Sequence, residues 1–214
     1  MDREVVMRRC VIVGGAGIEN YDTVKERLRE DDFFVFCDSG LRHMERLGVK
    51  PDLIVGDFDS YEQPEMDEEI IVLPREKDDT DTMAAVREAA RRGFEEFLLL
   101  GVFGERMDHT LANVYILTWL DGHGKKAYAS DDFSEFEIVS REIAYINDSF
   151  PYFSVVNIAG TAKGITIRNA KYTLENAEIP YTWQYGVSNE PLPGKTAAVS
   201  VADGLLLLIK DRRS

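Results

Sequence analysis

Pro51-Asp52-Leu53-Ile54-Val55-Gly56-Asp57-Phe58-Asp59-Ser60 carries an apolar run into a glycine and then into two carboxylates spaced two residues apart. A Leu-Ile-Val run closed by a turn signal is the pattern of a buried strand, so Asp57 and Asp59 fall at a strand's end. On an extended chain that spacing puts both side chains on one face. Two like charges about 5 Å apart repel by roughly 3 kcal/mol at the effective dielectric of a partly shielded site. A pair so placed calls for a cation.

Outward from this stretch, apolar runs alternate with helical patterns. CVIVGG is followed by YDTVKERLRE, FFVFCDSG by LRHMERLG, EIIVLP by TMAAVREAARRG, and EFLLLG by HTLANVYILTWLDG, ending in KKAYAS. Strands apolar throughout and linked by helices imply a parallel sheet covered on both faces, with its ligand site beyond the carboxyl ends of the strands. GGAG at Gly14 to Gly17, CDSG at Cys37 to Gly40, GDFDS and GVFGERMDH at Gly101 to His109 all fall at that edge. Helix stops are expected at Gly48, Gly93 and Gly122.

After roughly residue 132 the helical period disappears. EFEIV, EIAYI, FSVVNI, GITIRN, KYTLEN, AAVSVA and GLLLLIK read as antiparallel strands in a sandwich or curled sheet. The fold class is therefore α/β: an N-terminal parallel-sheet domain over residues 1–132, then a C-terminal antiparallel β-sandwich domain over 133–214.

Composition narrows the function. The chain has 214 residues, 44% of them hydrophobic and 10% aromatic, enough for a sizeable core. A net charge of −14 argues against a broad nucleic-acid surface but leaves room for a small anion held through a metal and local cations. The sequence contains no apolar run near 18 residues, and MDREVVMRRC lacks a signal-like apolar core, so the expectation is a cytoplasmic protein without a membrane role. Cys10 and Cys37 border apolar runs and read as buried free thiols.

A second acidic cluster, Asp78, Asp79 and Asp81, stands just ahead of a helical pattern with Lys77 beside it. If it folds back beside the first pair, the converging oxygens suit Mg²⁺, which is usually held by one or two carboxylates plus substrate phosphates. The plainer alternative is that Asp78 or Thr80 caps the helix. Gly15-Ala16-Gly17 with Asp38 some twenty residues later approaches the dinucleotide fingerprint, but Asn20 stands where a third small residue belongs. In GVFGERMDHTLAN, Arg106, Asp108 and His109 surround a helix start, a good phosphate site if backbone N–H groups join the arginine. Asp108 reads equally as the helix cap, and His109 as acid-base, nucleotide neighbour or packing. His43 and His123 receive no role. In the loop Thr182 to Gly194, Trp183 or Tyr185 could stack on a heterocycle, and Ser188 and Asn189 could hydrogen-bond to it.

With these pieces in place, the chain resembles the thiamine pyrophosphokinases over nearly its full length. The resemblance is carried by CDSG, LGVKPDLIVGDFDS, KDDTD, GVFGERMDHTLAN, NAEIPYTWQYGVSNE and the terminal DGLLLLI. It implies an N-terminal ATP-binding catalytic domain and a C-terminal thiamine-binding β-sandwich. It also implies a homodimer with active sites between subunits. The implied reaction moves a diphosphate group from ATP to the thiamine hydroxyl, giving thiamine diphosphate and AMP. Asp57, Asp59 and Asp81 would be the magnesium and catalytic carboxylates, with Asp38 close by. Lys77 and Arg106 would meet phosphates, with Asp78 and Thr80 beside Lys77. Asp108 and His109 would shape the nucleotide side, and Ser188, Asn189 and Trp183 the thiamine side.

The chain departs from the family pattern at Ser39, Leu41 and Arg42, where Asp-Gly-Gly-Ala-Asn is usual, and at Glu105, where Gly-Gly-Arg is usual. These departures fall on the nucleotide edge. Another small alcohol as acceptor, or a nucleotide or thiamine sensor without turnover, are the rival expectations.

Overall fold

The computed structural model describes residues 8–58, 67–76 and 78–213. Two compact units are present, Met1–Asp132 and Phe133–Ser214.

The first unit is a parallel sheet. Its strands are β1 (Arg9–Val13), β2 (Phe33–Cys37), β3 (Leu53–Gly56), β4 (Glu69–Val72), β5 (Glu96–Leu100) and β6 (Lys126–Ser130), in the spatial order β4-β3-β2-β1-β5-β6. Every pairing among them is parallel. Val11, Phe36 and Leu100 pack into one cluster with Tyr21, Val24 and Leu47, while the alternate residues Ile12, Val35 and Leu99 are equally buried. Both faces are covered, which is why the strands are apolar without alternation. The strand order reverses between β1 and β5, and such a reversal opens a crevice at the carboxyl edge.

The helices are α1 (Tyr21–Lys25), α2 (Met44–Leu47), α3 (Asp81–Arg91) and α4 (Met107–Gly122), with a 3₁₀ turn over Asp38–His43. The first two helical patterns are much shorter than their sequence suggested. Asn20, the residue that spoiled the dinucleotide fingerprint, caps α1 by accepting from the Thr23 N–H at 3.3 Å. Gly48 closes α2 in the left-handed conformation, and Gly93 also has positive φ. The stop foreseen at Gly122 moves to Gly124, which carries the positive φ while Gly122 ends the helix itself.

The second unit contains β7 (Ser134–Val139), β8 (Ala144–Ile146), β9 (Tyr152–Arg168), β10 (Leu174–Pro180), β11 (Ala197–Ser200) and β12 (Asp203–Asp211), which pair antiparallel among the described residues. FSVVNI and GITIRN, which read as two strands, form the single 17-residue β9. Its first half pairs β12, and its second half pairs β10 and β11. Gly160 and Gly164, both at positive φ, let the strand bend without breaking. The buried Asn157 ties the bend down by donating to the carbonyls of Gly160 and Ile179, at 3.2 and 2.7 Å. The two halves thus close over one core that includes Phe153, Val155, Ile165, Ile167 and Leu208, a curled sheet folded into a sandwich.

Candidate functional site

A cleft of about 540 Å³ opens at the carboxyl edge of the parallel sheet. Its walls come from the turns after β1, β2 and β5, from Asp57 after β3, and from the start of α3. Asp38, Asp57 and Asp81 each offer a carboxylate oxygen to one point, with these atoms all within 4.8 Å of one another. Asp38 is 4% exposed.

Local sequence makes this convergence possible. A Cβ on Gly56 would lie 2.5 Å from the Cβ of Asp38, so only glycine lets the end of β3 pass so close to the turn after β2. The Asp38 carboxylate is oriented by its Oδ1, which accepts the Ser39 N–H. Thr80 caps α3, its hydroxyl accepting the Met83 N–H at 3.2 Å, and so fixes where Asp81 leaves the first turn. Capping and site-building are one act here, not alternatives.

The extended conformation expected through GDFDS stops at Gly56, before Asp57. β3 ends there, and Phe58 has φ of 53°, a left-handed conformation that costs a bulky residue about 1–3 kcal/mol. Phe58 packs against the apolar cluster under the sheet and helps hold the turn. Asp59 and Lys77 lie outside the described residues. Among the described residues, the carboxylates that converge with Asp57 are Asp38, just after β2, and Asp81.

Around the trio, the cleft is lined by Arg42, Arg75, Arg106 and His109 as well as Asp79, Thr80 and Glu105. Arg75 was not singled out in the sequence; its signal was a cation three residues after an apolar strand among so many acids. Asp78 is exposed, and the neighbouring Asp79 pairs with Arg87 at 2.8 Å. Arg106, not Asp108, occupies the cap position of α4. Its guanidinium grips Asp108 through Nε at 3.1 Å and Nη2 at 2.5 Å, which pushes the Asp108 carboxyl down to about 2. His109 is exposed, and its N–H donates to Asp108 Oδ1 at 3.0 Å.

Glu105 follows Gly104 with φ of 51°, and its Oε1 accepts from Arg42 Nη2 at 3.0 Å. A left-handed residue other than glycine costs about 1–2 kcal/mol, whereas a half-exposed ion pair gives back under about 1 kcal/mol. The buried thiol of Cys37, beside the trio, is pushed up to about 12 by burial, then by Asp81, and stays protonated.

In the second unit, Trp183 is 55% exposed and lies beside Tyr185, ring centroids 4.8 Å apart. Ser188 is exposed with φ of 58°, and its N–H donates to Ser154 Oγ at 3.1 Å. Asn189 is 3% exposed. Its amide bridges the backbone of Tyr172, accepting from the N–H at 3.0 Å and donating to the carbonyl at 2.7 Å, and it accepts from the Glu190 N–H at 2.9 Å. These bonds make Asn189 a fixed point of the loop that carries Trp183 and Ser188.

Two family models match in tandem along the same division. Residues 24–129 match the thiamin pyrophosphokinase catalytic domain, and residues 138–206 match the thiamin pyrophosphokinase vitamin B1 binding domain. The chain belongs to the thiamine pyrophosphokinase family. Thiamine pyrophosphokinase 1 from rice, Oryza sativa subsp. japonica, is 30% identical over 162 residues, covering 67% of this chain and 60% of the rice protein. The chain thus spans less than two thirds of that relative. A solved thiamin pyrophosphokinase from Geobacillus thermodenitrificans superposes with a TM-score of 0.82 at 26% identity, covering 96% of this chain and 98% of the other. The fold is also that of a thiamine pyrophosphokinase from Bacillus subtilis, with a TM-score of 0.85 at 21% identity over 97% of this chain and 100% of that one. The cleft described above lies wholly within the residues of the catalytic unit.

Proposed function

We propose that this member of the family transfers the terminal diphosphate group of ATP to the hydroxyl of thiamine, giving thiamine diphosphate and AMP, with Mg²⁺ as the metal. The observation that carries the reading is the convergence of Asp38, Asp57 and Asp81 at the carboxyl edge of a parallel sheet, inside a cleft also lined by Arg75 and Arg106. Oxygens around one Mg²⁺ at 2.0–2.1 Å lie up to about 4.2 Å apart. Carboxylates within 4.8 Å of one another fit one ion after small side-chain adjustments, or two ions sharing the trio. Hard oxygen donors of this number suit Mg²⁺.

The metal, when bound, supplies Lewis-acid neutralisation of the triphosphate oxygens. The chain's own residues do the rest. Arg75 and Arg106 offset charge on the group in flight, and Lys77 joins them on the family resemblance. The thiamine oxygen bonds to the β-phosphorus, the bond from that phosphorus to the α-phosphate oxygen breaks, and AMP leaves with that oxygen. The hydroxyl proton passes to a carboxylate, Asp81 or Asp59. Catalysis of this kind rests on orientation and electrostatics.

On the same resemblance the second unit holds thiamine, with Trp183 and Ser188 facing the ligand and Asn189 setting their loop. We also assign a homodimer with active sites between subunits. The exposed stripe Met107, Leu111 and Tyr115 along α4 is the kind of apolar face that a second copy covers. No helix among the described residues is long and apolar enough to cross a membrane.

Incubation with ATP, Mg²⁺ and thiamine, followed by chromatography, tests the reading. Thiamine diphosphate and AMP are expected in equal amounts. ADP as the nucleotide product would replace diphosphate transfer with single-phosphate transfer, and AMP formed only with another alcohol would replace the acceptor.

A further inference from the structure

Glu105 reaches in two directions from a backbone conformation in which glycine is the comfortable residue. Its Oε1 pairs with Arg42, on the 3₁₀ turn after β2, and stands 3.2 Å from where a Cβ on Gly17 would be, in the turn after β1. One side chain from the loop after β5 therefore spans the crevice where the strand order reverses, the place where sheets of this kind take their ligand. The ion pair is half-exposed and repays little of the backbone strain. Strain kept at a crevice lip points to a ligand.

In dinucleotide folds the acid at the end of the second strand receives the ribose hydroxyls. That acid here is Asp38, already buried in the carboxylate trio with an oxygen given to the Ser39 N–H. Glu105 faces the crevice from β5, two strands from the β2 that carries Asp38, which is about 10 Å at the usual strand spacing. With phosphates at the trio, a nucleoside sugar comes within reach of that lip. A carboxylate only accepts hydrogen bonds and has two oxygens, so it matches a vicinal diol, and the planar guanidinium of Arg42 fixes its orientation.

We infer that Glu105, oriented by Arg42, accepts hydrogen bonds from the ribose hydroxyls of the donor nucleotide and makes the site select ribonucleotides over 2′-deoxyribonucleotides. The inference rests on the nucleotide-binding reading given above.

Calorimetric titration of the full chain with ATP and with 2′-deoxy-ATP, in Mg²⁺ and without acceptor, tests it. Wild type is expected to bind ATP roughly tenfold more tightly than the deoxy compound, the value of a charge-assisted hydrogen bond. Glu105→Gly weakens ATP more than the deoxy compound, which offers only its 3′-hydroxyl, so the two bind about equally, and the melting temperature does not fall, because glycine suits the left-handed backbone. Glu105→Gln falls between. A Glu105→Gly protein that keeps the wild-type preference overturns the inference alone. Wild type binding neither nucleotide overturns the nucleotide reading beneath it.

Discussion

The Tyr21 hydroxyl stands 2.5 Å from Nδ1 of the buried His43, whose Nε2 lies 2.9 Å from the Ala16 carbonyl oxygen. A carbonyl only accepts, so Nε2 carries the proton and Nδ1 accepts from tyrosine. Arg42 Nε approaches the same Nε2 at 3.4 Å, too long to compete. The ring thereby pins the turn after β1, at the cleft wall, to the turn after β2. Burial, then the charge of Arg42, lowers the His43 pKa from its usual 6.5. Between the lowered value and about 6.5 the unfolded chain binds more protons than the folded one, so stability present above pH 6.5 is lost as pH falls. Melting curves from pH 7.5 to 5 should show wild type losing stability on acidification, and His43→Gln should lose that part of the slope while costing about 1–3 kcal/mol at neutral pH.

Gly56→Ala adds a Cβ into the 2.5 Å approach to Asp38. Backbone and a buried carboxylate must both give way, at a cost of about 1–3 kcal/mol in stability. The same shift parts Asp38 from Asp57, so turnover should fall at least tenfold in protein that is still folded at 25 °C. Denaturant unfolding beside a product assay checks both. A variant as active as wild type would show that the close approach of β3 to Asp38 is not what assembles the trio.

Asn189 and Ser188 should separate by readout. Asn189→Ala leaves the N–H and carbonyl of Tyr172 without their side-chain partner, costing about 1–3 kcal/mol, and it raises the KM for thiamine by loosening the loop. Ser188→Ala removes only an exposed hydroxyl and should leave the melting temperature within a degree or two while raising that KM several-fold. Thermal melts and thiamine saturation curves measure the two effects.

The sequence was most readable where one force acts alone. The inner strands β1, β2, β3 and β5 of the parallel sheet are buried on both faces, so apolar runs marked them directly, and Thr80 announced the start of α3 by its capping chemistry. Short helices defeated the periodicity: α1 and α2 stop within a turn or so because the chain must reach the next strand, a tertiary demand that local pattern does not record. β9 read as two strands because glycine signals a turn, whereas Gly160 and Gly164 bend a strand whose neighbours continue on both sides of the bend. At the site, acids at strand ends were legible, but the left-handed conformation of Phe58 just after Asp57 was not, since no local pattern marks it. Arg75 and the Arg42–Glu105 bridge were not legible, since only folding brings turns after β2, β4 and β5 together. The structural part of Asn189 was not legible, because an amide in a polar loop carries no mark of burial.

The carboxylate trio is tested most directly by binding of Mn²⁺, a paramagnetic stand-in for Mg²⁺, followed by electron paramagnetic resonance in the presence of ATP and absence of thiamine. Wild type should bind the Mn–ATP complex, and Asp57→Asn and Asp81→Asn, each shown folded by its melting curve, should bind it at least tenfold more weakly. Folded variants of both aspartates that hold Mn–ATP as tightly as wild type would contradict the account.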